Sequence, residues 1–428
     1  MSIVSIILIV SLFLFFLLAV PVAFSIGIAA LLALVVSGMV PLSVIPQKMV
    51  SAVDSFPLLA IPFFILAGEI MLRGGISKRL IDFAASLFDW FRGGLTFVGL
   101  AASAFFGAIS GSALATTAAI GSIMHPEMVK RGYKSDFSTS LQAVGGTLGI
   151  LIPPSIPLIV YGVLTSASIG DLFIAVIGAG ALSTIAFMIT SAIIVHKEGM
   201  ALSEQKAKKG IDIGEVWKSF KSALWGLVTP VLILGGIYGG IFTPTESAII
   251  ACIYVLFVSI FIYKDLKVSE LVDVFVNSTK STAEIMIIVS TASLLGYVMT
   301  IERIPQNVAS FMLSISNGEI TFLLLTILVF LIAGMFMETT SIILLLVPLF
   351  GPVAFQLGID PVHFGVITVL TLSLGLITPP FGTSLFVAVG ITKDPLEKVY
   401  RRVVPFIIAG IIVILIVAFM PAITIGLL

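Results

Sequence analysis

Four stretches of this chain combine residue types that bind ions and small anions without charged side chains. "GAISGSALATT" (107–117) sets Ser110, Ser112 and Thr116 around Gly107 and Gly111. "GGTLGILIPPSIP" (145–157) places Gly145, Gly146 and Gly149 beside Pro153, Pro154 and Pro157, with Thr147 and Ser155 among them. "GMFMETTS" (334–341) runs from Gly334 to Glu338, Thr339, Thr340 and Ser341. "SLGLITPPFGTS" (373–384) repeats the second stretch, with Ser373, Gly375, Thr378, Pro380, Gly382, Thr383 and Ser384. Proline lacks an N–H and expels the carbonyl four residues back from a helical ladder, and glycine lets the freed backbone turn sharply. Bare carbonyls and positive half-helix N-termini result. Carbonyl and hydroxyl oxygens suit a weakly held monovalent cation such as Na⁺, whereas Ca²⁺ calls for more carboxylates. The N-termini suit a carboxylate. Glu338 is the one ionisable residue in the four stretches, which tells against proton coupling through them.

The elements that hold these stretches are apolar. Of 428 residues, 59% are hydrophobic and 10% charged, with zero net charge, and mean hydropathy is +1.23. Such a chain reads as a polytopic all-α membrane protein, with lipid as its surroundings. Zero net charge gives no reason to expect nucleic acid. The single cysteine, Cys252, excludes disulfides within the chain and cysteine metal sites. The first run, "IVSIILIVSLFLFFLLAV", lacks a basic start and a small-residue cleavage site, so a retained span is expected there.

Spans are expected near 3–20, 22–40, 52–72, 139–165, 172–196, 221–242, 247–263, 282–300, 361–387 and 403–426. Residues 93–130 and 319–357 each run apolar, then small and polar, then apolar again, as a re-entrant hairpin of two half-length helices would. Irregular backbone at membrane depth must face protein or water, so the hairpin tips and the breaks in 139–165 and 361–387 should meet inside the protein. The segments 76–92 and 304–317 read as amphipathic interfacial helices.

Basic residues set the orientation. Lys197, Lys206, Lys208, Lys209, Lys218 and Lys221 mark a cytoplasmic connector at 197–220, and Lys130, Arg131, Lys134, Lys264, Lys267, Lys393, Lys398, Arg401 and Arg402 agree. Loops 166–171 and 243–246 carry no Lys or Arg and belong outside, with both termini. The first hairpin's base then faces the cytoplasm and the second's faces outward.

An offset of 226 pairs Pro126 with Pro352, Gly132 with Gly358, Gly149 with Gly375 and Pro153-Pro154 with Pro379-Pro380. Offsets of 227 or 228 pair Gly107 with Gly334, Gly68 with Gly296 and Ile76 with Ile304. Two halves of opposite orientation follow. Residues 1–196 hold scaffold helices (1–92), a hairpin (93–130), a broken helix (139–165) and a helix (172–196). Residues 221–428 hold scaffold helices (221–317), a hairpin (319–357), a broken helix (361–387) and a helix (403–426). Inverted repeats with broken helices mark secondary transporters, whose sites lie near the midplane between the repeats.

"GAISGSALATTAAIGSIMHPEM", "GGTLGILIPPSIPLIVYG", "GGIYGGIFTPTESA" and "LGLITPPFGTSLFV" together resemble the large membrane subunit of the tripartite ATP-independent periplasmic (TRAP) transporters. The likeness spans nearly the whole chain. It implies the wider ion-transporter fold, in which a scaffold holds a transport domain that moves like an elevator. It also implies a small four-helix membrane subunit as a separate chain, a periplasmic substrate-binding protein, and Na⁺ as coupling ion with no other cofactor. The implied substrates are organic acids such as sialic acids or C4-dicarboxylates. Carried over, one Na⁺ belongs between Ser103, Ser110, Gly111, Ser112 and Gly145, Gly146, Thr147. A second belongs between Gly334, Glu338, Thr339 and Ser373, Gly375, Thr378. Substrate belongs among Pro154, Ser155, Thr340, Pro380 and Gly382.

Two other readings stand beside this one. A stand-alone Na⁺/carboxylate symporter would share every feature except the partners. A membrane-embedded enzyme would need a His/Glu cluster, an Asp pair or a Ser–His pair at depth, and His125, His196 and His363 are scattered near span ends. Small residues such as Ser110 and Ser112 also serve plain helix packing. Glu246 in "TPTES" reads as an N-cap and Asp54 as the cap of a span, while Glu69 and Glu284 read as acids paired within the scaffold or toward the small subunit.

Overall fold

The computed structural model describes residues 2–38, 40–200, 210–315 and 318–428, and every regular element among them is helical. The N-terminal part comprises α1 (Ile3–Leu17), α2 (Val22–Ser37), α3 (Val44–Val53) and α4 (Ala60–Arg73), the last entered through a 3-10 turn at Phe56–Leu59. A Gly74-Gly75 corner leads into α5 (Ile76–Phe88). Next come α6 (Gly94–Ser110) and α7 (Ala113–Lys130), then α8 (Ser135–Thr147) and α9 (Ile156–Thr165), then α10 (Ile169–Lys197). The second part runs α11 (Ile213–Tyr238), α12 (Pro244–Phe257), α13 (Leu271–Ile301) and α14 (Ile304–Ile315). It continues with α15 (Glu319–Gly334), α16 (Thr339–Gln356), α17 (Pro361–Gly375), α18 (Thr383–Thr392) and α19 (Leu396–Phe419).

Seven helical segments are long and apolar enough to cross a membrane: Phe56–Arg73, Ile169–Lys197, Ile213–Tyr238, Pro244–Ile262, Val268–Ile301, Thr339–Gln356 and Leu396–Phe419. The expected spans 3–20 and 22–40 are shorter, 15 and 16 residues, because Ala19 takes a φ of 55° and Pro21 breaks the ladder between them. α16, expected as half of a hairpin, has 18 residues and is itself of spanning length. The connector expected at 197–220 is shorter, because α11 begins at Ile213. The Asp212 side chain caps it, accepting from the amides of Gly214 and Glu215. Lys206, Lys208 and Lys209 lie outside the described residues, as do 316 and 317 of the expected segment 304–317.

Packing sorts the helices into two groups. α2, α3 and α4 pack on α13, α4 packs on α12, and α11 packs on α12 and α5. In the other group α6, α7 and α8 pack on one another, α18 packs on α7 and α8, and α17 packs on α10, α15, α16 and α19. α5 bridges to α6, and α14 bridges to α16.

Ion pairs close the end of the second group where α8 starts. Arg402 reaches Asp136 at 3.0 Å and also pairs with Glu198, which Lys134 meets at 2.7 Å. Arg131, after α7, reaches Asp89, after α5, at 2.5 Å. Two expected caps are corrected here. Thr243 is the N-cap of α12, and Glu246 closes its capping box from the third helical position. Asp54 follows the last turn of α3 and donates its amide to the Val50 carbonyl; it caps no following helix.

Candidate functional site

Gly111 and Ser112 alone separate α6 from α7, so the two helices fold back as a hairpin. Gly111 permits the reversal with φ of 60°, and a Cβ there would stand 2.9 Å from the Pro154 carbonyl. The Ser112 hydroxyl caps α7 weakly, accepting from the Ala115 amide at 3.4 Å. Thr116 donates to the Ser112 carbonyl at 2.7 Å and lies 3.1 Å from the Ser110 hydroxyl, while Thr117 donates to the Ala113 carbonyl. These hydroxyls and carbonyls face the glycines of the α8 break. A Cβ on Gly146 would meet Thr117 Oγ1 at 1.7 Å, and one on Gly149 would meet Thr116 Oγ1 at 2.4 Å and the Ser112 carbonyl at 2.6 Å. Gly145 faces Ser103 Oγ in the same way, at 2.6 Å. Ser103, Ser110, Ser112, Gly145 and Gly146 therefore share one locale. Thr147 turns instead to its own helix and donates to the Val144 carbonyl. After it, α8 tightens into a 3-10 turn at Leu148–Ile150 and the chain restarts as α9 at Ser155.

The second hairpin, α15 and α16, turns through Met335–Glu338. Here the cap is a carboxylate. Glu338 accepts from the amides of Thr340 at 2.8 Å and Ser341 at 3.4 Å, and from the Thr340 hydroxyl. Gly334 lies against Gly375 of the α17 break, where a Cβ on Gly375 would stand 2.6 Å from the Gly334 Cα. Gly107 and Gly149 make the same approach in the first hairpin, also at 2.6 Å. Gly382 donates its amide to the Met335 carbonyl, tying break to tip, and the Ser384 amide donates to the Leu376 carbonyl across the break itself. Ser373 and Thr378 donate to the Leu370 and Leu374 carbonyls. Both breaks contain a cis Pro-Pro bond, 153–154 and 379–380. Several hydroxyls here are fully buried without a partner, namely Ser155, Thr339, Thr368, Thr371, Thr383 and Ser384. An orphaned buried hydroxyl costs free energy, and of these Thr339 lies on the lining of the cavity between the tips.

Both tips open on one cavity of about 470 Å³. Gly111–Ala115 line it from the first tip, Glu338–Thr340 from the second, Ile150, Ile156 and Leu376 from the breaks, and Glu69, Ser281 and Glu284 from α4 and α13. Of the five residues expected around substrate, Thr340 lines this cavity. Pro154, Ser155, Pro380 and Gly382 lie off its lining, and the exposed Pro380 gives its carbonyl to the Tyr400 hydroxyl. Of the two pairings expected for Glu69 and Glu284, within the scaffold or toward the small subunit, the first is absent among the described residues. Neither carboxylate has a hydrogen bond or ion pair among the described residues, and both face the cavity because α4 and α13 pack side by side across from the tips. Thr117 was legible as the residue four places after Ala113, a spacing that turns its hydroxyl back on a tip carbonyl. No group of three or more His, Cys, Asp or Glu among the described residues is placed to hold a metal ion.

A helical membrane protein whose two hairpin tips and two glycine–proline breaks meet at one cavity has the layout of a secondary transporter. Residues 9–423 match the family model of the DctM component of the tripartite ATP-independent periplasmic transporters. The large permease protein DctM of a C4-dicarboxylate TRAP transporter from Pseudomonas aeruginosa is 42% identical over 89% of this chain and 88% of its own length. The large permease protein SiaM of a sialic acid TRAP transporter from Vibrio cholerae is 37% identical, over 94% and 93%. An isethionate TRAP permease named DctMQ from Oleidesulfovibrio alaskensis is 40% identical over 96% of this chain, which spans 64% of that protein's length. Among solved structures, the YdaH transporter of Alcanivorax borkumensis shares the fold with a TM-score of 0.63 at 14% identity, covering 89% of each chain. The chain belongs to the DctM family: it is a large permease component of a TRAP transporter, a multi-pass protein of the bacterial inner membrane.

Proposed function

We propose that this subunit carries an organic acid across the membrane together with Na⁺, receiving it from a periplasmic binding protein and working beside a small four-helix membrane subunit. The observation that carries this reading is the meeting of both hairpin tips at one cavity of about 470 Å³, with the buried, unpartnered Thr339 hydroxyl on its lining and those of Ser155, Thr383 and Ser384 in or next to the breaks. Family membership supports the dependence on partners over a stand-alone symporter.

The two tips divide the work. At the first, a neutral serine at 3.4 Å is the only cap on α7, so the first amides of that helix are open to a substrate carboxylate. At the second, Glu338 already occupies the N-terminus of α16. A second anion is disfavoured there, and a cation is favoured beside the carboxylate and the unpartnered Thr339 hydroxyl. The other Na⁺ lies between Ser103 and Ser110 of the first hairpin and Gly145 and Gly146 of the first break, behind the Ser112 cap. Substrate and ions move together as the hairpin-bearing group slides against α2–α4 and α11–α13, with α5 and α14 as its tethers.

The test is uptake of a labelled acid into proteoliposomes. Transport should need this subunit, the small subunit, the binding protein and an inward Na⁺ gradient together. Equal uptake with K⁺ replacing Na⁺, or by this chain alone, defeats the proposal.

A further inference from the structure

The cavity has one wall that the transport reading leaves without a role. Glu69 of α4 and Glu284 of α13 flank Ser281 on the side opposite the tips, and neither carboxylate has a hydrogen-bond or ion-pair partner among the described residues. Arg73, one turn beyond Glu69, pairs with Asp273 at 3.7 Å and still acts on Glu69 through space, and Lys280 stands one turn before Glu284; neither forms an ion pair with these acids. Across the cavity, the Thr339 hydroxyl is fully buried and unpartnered, so this space is built for a polar occupant and the two acids are part of its wall. An anion held at the first tip faces both of them in a medium where unlike and like charges act strongly. The acids lie on helices of one packing group, the tips on the other.

We infer that Glu69 and Glu284 are release residues: in the arrangement seen here they repel the substrate carboxylate, lower its affinity and hasten its departure, while drawing Na⁺ toward the cavity. The inference rests on the proposed Na⁺-coupled carriage of an organic acid. A fixed negative wall weakens anion binding wherever the tips stand opposite it. Sliding the tips away from α4 and α13 removes that penalty. Affinity is thereby made to differ between the two positions, which net accumulation requires.

The experiment uses the purified complex of large and small subunits with succinate, isethionate and N-acetylneuraminate as probes. Binding is read as thermal stabilisation in NaCl against KCl. For whichever probe stabilises the wild type in NaCl, Glu69→Gln/Glu284→Gln should bind about tenfold tighter and turn over several-fold more slowly in Na⁺-driven uptake. Raising ionic strength should shrink the difference. Glu69→Asp/Glu284→Asp keeps the charge and should bind like wild type. A folded Gln double variant with unchanged or weaker probe affinity overturns the inference while leaving Na⁺-coupled carriage intact. Absence of Na⁺-dependent stabilisation by every probe in the wild type overturns the underlying reading, and the release role with it.

Discussion

The two hairpin tips are close relatives in shape and opposites in charge. In each, a glycine of the first arm lies against a glycine of the neighbouring break, Gly107 on Gly149 and Gly334 on Gly375. In each, the second arm begins with a side chain that accepts from its own first turn. That side chain is a serine hydroxyl at the first tip and a carboxylate at the second. The shared part sets how closely backbone approaches backbone, and the differing part sets the charge at the start of the second arm. Under the proposed function, that difference gives an open helix start for an anion at the first tip and a carboxylate that favours a cation at the second.

The shared part gives the largest expected effects. Gly107→Ala and Gly375→Ala each put a Cβ 2.6 Å from a backbone Cα, closer than real Cβ contacts come, where no side chain can move aside. Each should cost about 1–3 kcal/mol of stability and abolish uptake, read by thermal melting of the purified protein and by transport. If one is silent, the two tips are not equivalent in backbone packing. The differing part comes next. Glu338→Gln keeps the shape but removes the charge, and should raise the Na⁺ concentration for half-maximal uptake by about tenfold or more, at a stability cost of about 1–2 kcal/mol as the charged cap on α16 weakens. Ser112→Ala should act mainly on half-saturation by the acid, by about threefold to tenfold, since its cap bond is long. Equal effects of both variants on Na⁺ and on acid would erase the distinction between the tips.

Thr339→Val should separate ligand binding from folding by the sign of its effect. The Thr339 hydroxyl is buried without a partner, so the near-isosteric valine should leave stability unchanged or raise it by about 1 kcal/mol. Na⁺ affinity should still fall about threefold to tenfold. Lower stability together with unchanged Na⁺ affinity would make the hydroxyl a packing element.

Much of this was legible in the sequence because the signals are backbone signals. Glycine and proline act through φ and through missing donors, so the breaks at 148–155 and 376–382 and the two hairpins follow from residue identity alone. Side-chain partners were less legible. Glu246 looked like an N-cap, yet Thr243 three residues earlier takes that place, because both residues of a capping box favour a helix start. Glu69 and Glu284 looked like acids paired within the scaffold or toward the small subunit, and only the packing of α4 beside α13 opposite the tips makes them cavity residues. Pro380 belongs to a motif that faces inward over most of its length, but its own carbonyl turns to Tyr400. Which face of a broken segment points to the cavity is a tertiary fact that periodicity does not carry.

The starts of the two broken helices extend the comparison and give the smallest expected effect. Asp360 caps α17 from its own chain, accepting from the amides of Val362 at 2.8 Å and His363 at 3.1 Å. Lys134, its counterpart 226 residues earlier, makes no such cap and reaches Glu198 across the fold, where Arg402 joins. The Lys134 ammonium, followed by the Arg402 guanidinium, holds the Glu198 carboxyl below its ordinary value of 4.5. A depressed carboxylate pKa adds stability that is fully present above the ordinary value and disappears as pH falls through the lower folded value. Partly exposed pairs contribute little, so Glu198→Gln should lower stability only slightly at neutral pH, by less than about 1 kcal/mol as read from the melting midpoint, and less still in high salt. The wild type and variant should converge below the ordinary glutamate range, while Asp360→Asn, which removes a charged cap and adds no network, should leave a difference set by its own amide bonds. A gap between wild type and Glu198→Gln that persists at the acid end would mean that packing of the side chain, and not its charge, anchors the first broken helix.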